Sequence, residues 1–429
     1  MILIYSSKNA SRLQYICGFI FNELLTTQFS ITQDEDEFNA FSGVKINYSN
    51  NDRLTSDIQI IPHGILEQST IVPQIISCFK HNQYTAFFKT TGNGYAFDIF
   101  AACFYLISRY EEYLPHKKDM YGRYAHENSM AYQNDFLHLP IINIWVNDFA
   151  NILLEKNPTI KFSLPNFNFV PTYDIDIAYS YKSKGLIRNM GGFIKSPSIN
   201  RLQVLFGIKK DPFDCYDWLE SLHNTYQLQP IYFFLVAEKN VGYDKNILPS
   251  KSIVQKLIQR IAQSNNIGIH PSWQSGDDIT LFNNEIKLLE NISNEPVTSS
   301  RQHYIRFNLP DGYQRIVNAG ITNDYSMGYG SINGFRASTG SAFNWYNLKE
   351  DKETSLRIHP FCYMEANSFY EQKISASEAL QEMQQYLIVC KENGCNMITI
   401  WHNHFLGSAK LYAGWKSAYE TFIRNNFGK

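Results

Sequence analysis

The sequence predicts an α/β protein in two parts, a smaller N-terminal α/β domain followed by a larger domain of repeated βα units. Three observations carry this. From Phe167 onward, short apolar runs rich in β-branched and aromatic residues alternate with longer stretches of helical periodicity, the signature of a largely parallel sheet. The chain has 429 residues, more than one ordinary domain holds. A polar stretch framed by Asn157-Pro158 and Leu164-Pro165 reads as a linker, which places the domains at 1–165 and 166–429.

In the first part, Met1–Tyr5, Ile58–Ile61 and Tyr84–Lys89 read as strands. Ala96–Tyr113 reads as one helix, because its apolar side chains recur at helical spacing until Leu114-Pro115, where proline stops a helix. In the second part the apolar runs are FNFVPTYD, PIYFFLVA, NIGIHPSW, HYIRFNL, SLRIHPFCY and NMITIWHNH. Helical patterns at Ser252–Ala262, Asp278–Asn291 and Ala376–Lys391 separate several of them.

Hydrophobic residues make up 44% of the chain and aromatics 15%, enough for sizeable cores. Core packing is the first use of so many rings, and stacking on sugar faces is another. Thirty-eight basic residues against 40 acidic ones leave a net charge of -2, so no chain-wide field draws in nucleic acid or an anionic membrane. Neutral or zwitterionic ligands fit better. Seven scattered cysteines with no CxxC pair read as reduced thiols and not as a disulfide framework or structural zinc site. The opening MILIYSSKNASR lacks basic residues before its apolar run and reads as a strand, not a signal peptide. No apolar run reaches the roughly 18 residues of a membrane span, and the expected location is cytoplasmic.

Polar chemistry gathers at the ends of the apolar runs, the face on which parallel α/β barrels build their sites. Asp174 and Asp176 lie two apart, on one face of a regular strand. Two carboxylates so close raise each other's pKa unless a cation lies between them, and a divalent metal resolves this by taking one and leaving the other as a base. His270 follows the run NIGI, and Arg301 and His303 open the run that continues HYIRFNL. His303 is the candidate third ligand, since a catalytic metal commonly takes three protein groups. Trp273 and Arg336 are candidate substrate contacts, a ring for a sugar face and a guanidinium for a hydroxyl or anion. The alternative for Arg336 is pairing with a local carboxylate. Either His402 or His404, in Trp401-His402-Asn403-His404, can serve as a general acid. Arg109, Glu111 and Glu112 read as a solvated helix end or an interdomain ion-pair cluster.

The order TYDID, HPSW, RQHY, DYS and IWH resembles the polysaccharide deacetylases of the NodB homology type, carbohydrate esterase family 4, over roughly residues 166–429. The resemblance implies a distorted (β/α)7 barrel and a divalent metal. Zinc is the expected ion, while nickel, cobalt or iron also suit such ligands. It implies Asp174 as catalytic base, Asp176 and His270 as metal ligands, Arg301 as the residue orienting the base, and His402 as catalytic acid. Asp324 would hold the acid or line the groove. The upstream stretch from Phe97 to Arg123 resembles the N-terminal domain that precedes such barrels in one bacterial subgroup. Two departures stand out: Ile175 separates aspartates that the family keeps adjacent, and Gln274 stands where the family has its second metal histidine. The implied activity is removal of N-acetyl or O-acetyl groups from an amino sugar or polysaccharide. The rivals are a carbohydrate-binding protein on an impaired barrel, motivated by Gln274, and a glycoside hydrolase with Asp174 or Asp176 as nucleophile.

Overall fold

The first strand, β1 (Ile2–Ser6), is buried along its whole length, so it needs cover on both faces. It pairs in parallel with β2 (Phe29–Thr32) and β3 (Val44–Tyr48), and β3 pairs with β4 (Ile58–Gln59), giving the order β2-β1-β3-β4. A separate hairpin joins β5 (Phe79–His81) to β6 (Tyr84–Ala86). Its two turn residues, Asn82 and Gln83, both take positive φ, as a two-residue hairpin loop of the favoured hand requires. The computed structural model describes residues 1–91, 94–182 and 199–428.

The helix expected over Ala96–Tyr113 is shorter, running from Ile99 to Ile107 with the Asp98 side chain accepting from the Ala101 N–H at its start. Arg109 ends it by adopting φ 55°, and Tyr110–Tyr113 forms a separate 3-10 turn. The left-handed turn, a cost of order 1–2 kcal/mol, aims the guanidinium inward at Glu111 and Glu112, at 2.8 and 2.7 Å.

The second part is built on nine strands: β7 (Asn168–Ile175), β8 (Ile231–Leu235), β9 (Asn266–His270), β10 (Ser299–Ser300), β11 (Asn323–Asp324), β12 (Phe343–Asn347), β13 (Lys352–Ile358), β14 (Tyr363–Met364) and β15 (Asn396–His402). They form one sheet in the order β12-β13-β11-β10-β9-β8-β7-β15-β14. Every neighbouring pair is parallel except β12 with β13. The chain is therefore mixed α/β with a large, mainly parallel central sheet. Among the described residues no ladder joins β12 to β14, so strand pairing alone stops short of the ring closure that a barrel of seven strands implies.

Helices span Ser252–Ala262, Ile279–Ser293 and Ala376–Glu392. Asp278 caps the second, and Ser375 with Glu378 forms a capping box on the third. One expected strand is corrected. The run HYIRFNL is no strand: His303–Ile305 is a 3-10 turn in which Tyr304 and Ile305 take φ 58° and 54°, values that an extended ladder excludes. The strand is the preceding pair Ser299–Ser300, so Arg301 and His303 follow it and do not open it.

One contiguous apolar core runs through both parts. Ion pairs cross the junction, among them the buried Arg12 with half-buried Asp351 at 2.6 Å and the buried Arg336 with Glu112 at 2.6 Å. Arg109, Glu111 and Glu112 are thus a buried cluster across this junction and not a solvated helix end. Burial alone would raise the Glu112 carboxyl, but Arg336 and Arg109 together hold it down at about 2. Its contribution is fully present above the pKa of an unfolded glutamate and is lost as pH falls through about 2. Glu112→Gln leaves two guanidiniums buried against an uncharged amide and is expected to cost ~3–5 kcal/mol of stability, read as a lowered urea midpoint at neutral pH. No helix among the described residues is long and apolar enough to cross a membrane.

Candidate active site

β7 lies between β15 and β8, so a side chain at its C-terminal end is flanked on both sides. Thr172 and Asp174 point to one face, and Asp176 follows just past the strand end. Arg301, fully buried, donates from Nη1 to Thr172 Oγ1 at 2.6 Å and to Asp174 Oδ1 at 2.9 Å. Its Nε bonds the Tyr325 carbonyl oxygen at 3.0 Å, and its guanidinium lies 4.4 Å over the Phe233 ring. Asp174 is held in one orientation by a charge-assisted bond, leaving Oδ2 3.9 Å from His270 Nε2.

Three candidate ligand atoms converge beside it. Asp176 Oδ1 lies 3.2 Å from His270 Nε2, Asp176 Oδ2 lies 3.8 Å from His303 Nε2, and the ligand atoms of all three residues fall within 4.8 Å of one another. Each ring is fixed through its other nitrogen. His270 Nδ1 lies 2.6 Å from the Arg301 carbonyl oxygen, and His303 Nδ1 lies 3.1 Å from Asp244 Oδ1. Those acceptors hold a proton on Nδ1 in both rings, so Nε2 is the atom that each ring turns toward Asp176. This is the outer arrangement that metal-ligating histidines use. Asp176 Oδ1 makes no hydrogen bond despite its proximity to His270. A buried carboxylate oxygen without a donor beside His270 Nε2, with the other oxygen toward His303 Nε2, fits a divalent cation. The electrostatics agree: burial would raise the Asp176 carboxyl, but His303 and then His270 hold it well below the ordinary range. His303 is itself pushed up to about 9, because Asp176 and Asp244 outweigh its burial. The cluster attracts positive charge.

His402, the last residue of β15, pairs in register with Asp174. Its Nδ1 and its backbone N–H each lie 2.7 Å from Glu365 Oε1, and its Nε2 lies 3.7 Å from Asp176 Oδ2. Burial would lower its pKa, but Glu365, then Asp176 and Asp174, push it up to about 10. Burial and the charge of His402 push neighbouring His404 down to about 3. The pair left unresolved by sequence is thereby separated: His402 carries a proton at neutral pH and His404 does not. A cavity of about 430 Å³ exposes Asp174, Asp176, His270, His303, His402 and His404 together.

Three assignments are corrected. Arg336 is buried, and its guanidinium is consumed by both oxygens of Glu112 and the Gly328 carbonyl; it has no reach into the cavity. Asp324 is buried against Ser300 and Ser326 and does not touch His402, whose partner is Glu365. Trp273 is not among the cavity-lining residues. Its ring takes the Arg306 guanidinium at 4.4 Å and the Tyr243 ring at 4.3 Å. Gln274, at the position of the family's second metal histidine, donates to Asp244 Oδ2 at 3.1 Å and so braces the carboxylate that orients His303.

Glu365 and Asp244 are functional candidates that the sequence reading missed. Glu365 sits two residues past the run SLRIHPFCY, where the strand-end rule would have found it. Asp244 lies in the loop after β8 with no periodic signal around it. Tyr121 and Arg123, from the first part, also line the cavity.

Glu365→Gln removes the largest influence raising the His402 pKa. A general acid works below its pKa, so the alkaline limb of the kcat profile is expected to move to lower pH. An unmoved limb would show that Glu365 does not set this titration.

Residues 2–158 match a family of unknown function, DUF7033. No curated protein matches the chain. Several solved structures are similar over about three fifths of the chain. A Mycobacterium smegmatis protein described as a polysaccharide deacetylase shares 13% identity, with 62% of this chain and 85% of that one covered and a TM-score of 0.40. For an allantoinase the values are 12%, 61%, 83% and 0.39. For a polysaccharide deacetylase of Bacillus cereus they are 10%, 61%, 88% and 0.31. Likenesses at this level carry no statement about chemistry, which rests on the side chains.

Proposed function

We propose that the chain is a metal-dependent hydrolase that removes an N-acetyl or O-acetyl group from an amino sugar or polysaccharide, with zinc as its ion. The observation that carries this reading is the meeting of three differently prepared groups in one cavity. These are a carboxylate clamped by arginine, an imidazolium clamped by glutamate, and between them an Asp-His-His cluster with both Nε2 atoms turned inward.

Asp176, His270 and His303 would hold the ion, with Asp244 and the Arg301 carbonyl fixing the two rings. A divalent cation held there supplies Lewis-acid activation of water and of the acyl carbonyl. Asp174, oriented by Arg301, takes the proton of the attacking water. His402, protonated through Glu365, gives its Nε2 proton to the departing amine or alcohol. Asp174 and His402 thus have separate tasks, set by opposite partners. The division of the chain near residue 165, and the reading of the sheet as a distorted barrel with this cavity at its C-terminal mouth, belong to the same proposal.

Release of acetate from N-acetylated oligosaccharides by the zinc-loaded protein tests the reading. Release of reducing ends without acetate would favour a glycoside hydrolase. Binding of sugar with release of neither would favour a carbohydrate-binding protein.

A further inference from the structure

Beside the candidate metal cluster three tyrosine rings form a mutually packed group between the cavity and the surface, with Tyr121 and Tyr243 also 5.6 Å apart. The His303 ring lies 4.7 Å from that of Tyr304, which lies 5.2 Å from Tyr121 and 5.1 Å from Tyr243. Tyr121 and Tyr304 line the cavity, and Tyr243 does not. Tyr304 and Tyr243 are 36% and 38% exposed, unusual for rings grouped so closely, since aromatic side chains ordinarily bury their faces. Trp273 packs against Tyr243 and Arg306 and backs the group.

Tyr121 belongs to the N-terminal part, and its position is braced. It sits inside a tight turn opened by Asp119, whose Oδ1 accepts from the backbone N–H groups of Tyr121 and Arg123, at 2.9 and 3.0 Å, and whose Oδ2 accepts from Arg123 Nε at 2.6 Å. Arg123 lies 4.8 Å over the Tyr121 ring and donates from Nη1 to the Tyr304 carbonyl oxygen at 2.7 Å. That bond ties the turn to the left-handed residue that puts the Tyr304 ring at the rim. Because Asp119 offsets the charge of Arg123, the wall presents ring faces with little net charge.

We infer that Tyr121, Tyr304 and Tyr243 form a subsite for a further pyranose ring, outside the reacting sugar, so that the substrate is a neutral oligosaccharide or polysaccharide chain. The region 2–158 then contributes to substrate binding through Tyr121. Ring faces stack on the C–H faces of a pyranose without needing charge, and a packed ring group at the rim suits a sugar that extends out of the cavity. The inference rests on the hydrolase reading for the identity of the reacting sugar, but the subsite is testable without it.

The experiment compares wild type with Tyr121→Ala, Tyr243→Ala and the double variant. Chitotetraose and cellotetraose serve as probes for calorimetric binding to the metal-free protein. N-acetylglucosamine and chitotetraose serve as substrates for acetate release by the zinc-loaded protein. Truncating an aromatic anchor weakens binding by roughly tenfold, so the double variant is expected to bind at least one tetramer about tenfold or more weakly. Its kcat/KM for chitotetraose relative to the monosaccharide falls by a similar factor. Tyr121→Phe, which keeps the ring face, is expected to retain wild-type binding and guards against loss of fold as the cause. Wild type that releases no acetate but binds a tetramer more tightly than the double variant would keep the subsite and overturn the hydrolase reading. Equal binding by wild type and the double variant, or no binding of either tetramer by wild type, overturns the subsite.

Discussion

Asp174→Asn is expected to keep the metal and lose ~10²–10⁴-fold in kcat, the range for removal of a positioned general base. The amide is nearly isosteric and still accepts from Arg301 Nη1, now 2.9 Å from Oδ1, so the Thr172–Arg301–Asp174 arrangement survives while proton acceptance does not. Metal content by atomic spectroscopy together with turnover of an acetylated oligosaccharide reads both halves of this expectation. Loss of metal equal to that in Asp176→Ala would show that Asp174 is a ligand and that the two aspartates have been divided wrongly.

The second large effect concerns the ligands. Asp176→Ala removes the cluster's anionic ligand and leaves two imidazoles, so the protein is expected to lose its metal and with it all measurable turnover. His303→Ala is expected to weaken metal binding far more than Gln274→Ala, because His303 Nε2 faces Asp176 whereas Gln274 acts only through Asp244. Loss of such an outer partner typically costs ~10–100-fold in affinity, which bounds the Gln274→Ala effect from above. Competition with a chromogenic zinc chelator ranks the three variants. The reverse order, with Gln274→Ala the more damaging, would move the third ligand away from His303.

The parallel sheet was legible because its strands are buried on both faces and therefore read as continuous apolar runs, as in β8, whose five residues are all buried. Asp174, Asp176, His270 and His402 were legible because strand ends are marked by the apolar-to-polar change itself. Where a strand is only two residues long, as with Ser299–Ser300, that mark vanishes. The apolar letters of HYIRFNL then misled, because they serve the left-handed turn at Tyr304 and Ile305 and not a ladder. Arg336 sits in a polar loop by sequence, and only the fold brings Glu112 across 224 positions to bury it. Glu365 replaced Asp324 as the partner of His402 for a similar reason. β14 is hydrogen-bonded to β15, whereas β11 lies five places along the sheet from it, a distance that no local pattern encodes. Asp244 had no local signal at all, since a loop carboxylate becomes an orienting group only through the histidine that it meets.

The central claim is that Asp176, His270 and His303 hold a catalytic divalent cation. Metal analysis after reconstitution with zinc and removal of excess ion tests this most directly, made in parallel on wild type and His303→Ala. The account predicts zinc stoichiometric with the wild-type chain and strongly reduced in the variant; wild type that retains no zinc, nickel, cobalt or iron, or a variant that retains as much as wild type, would contradict it.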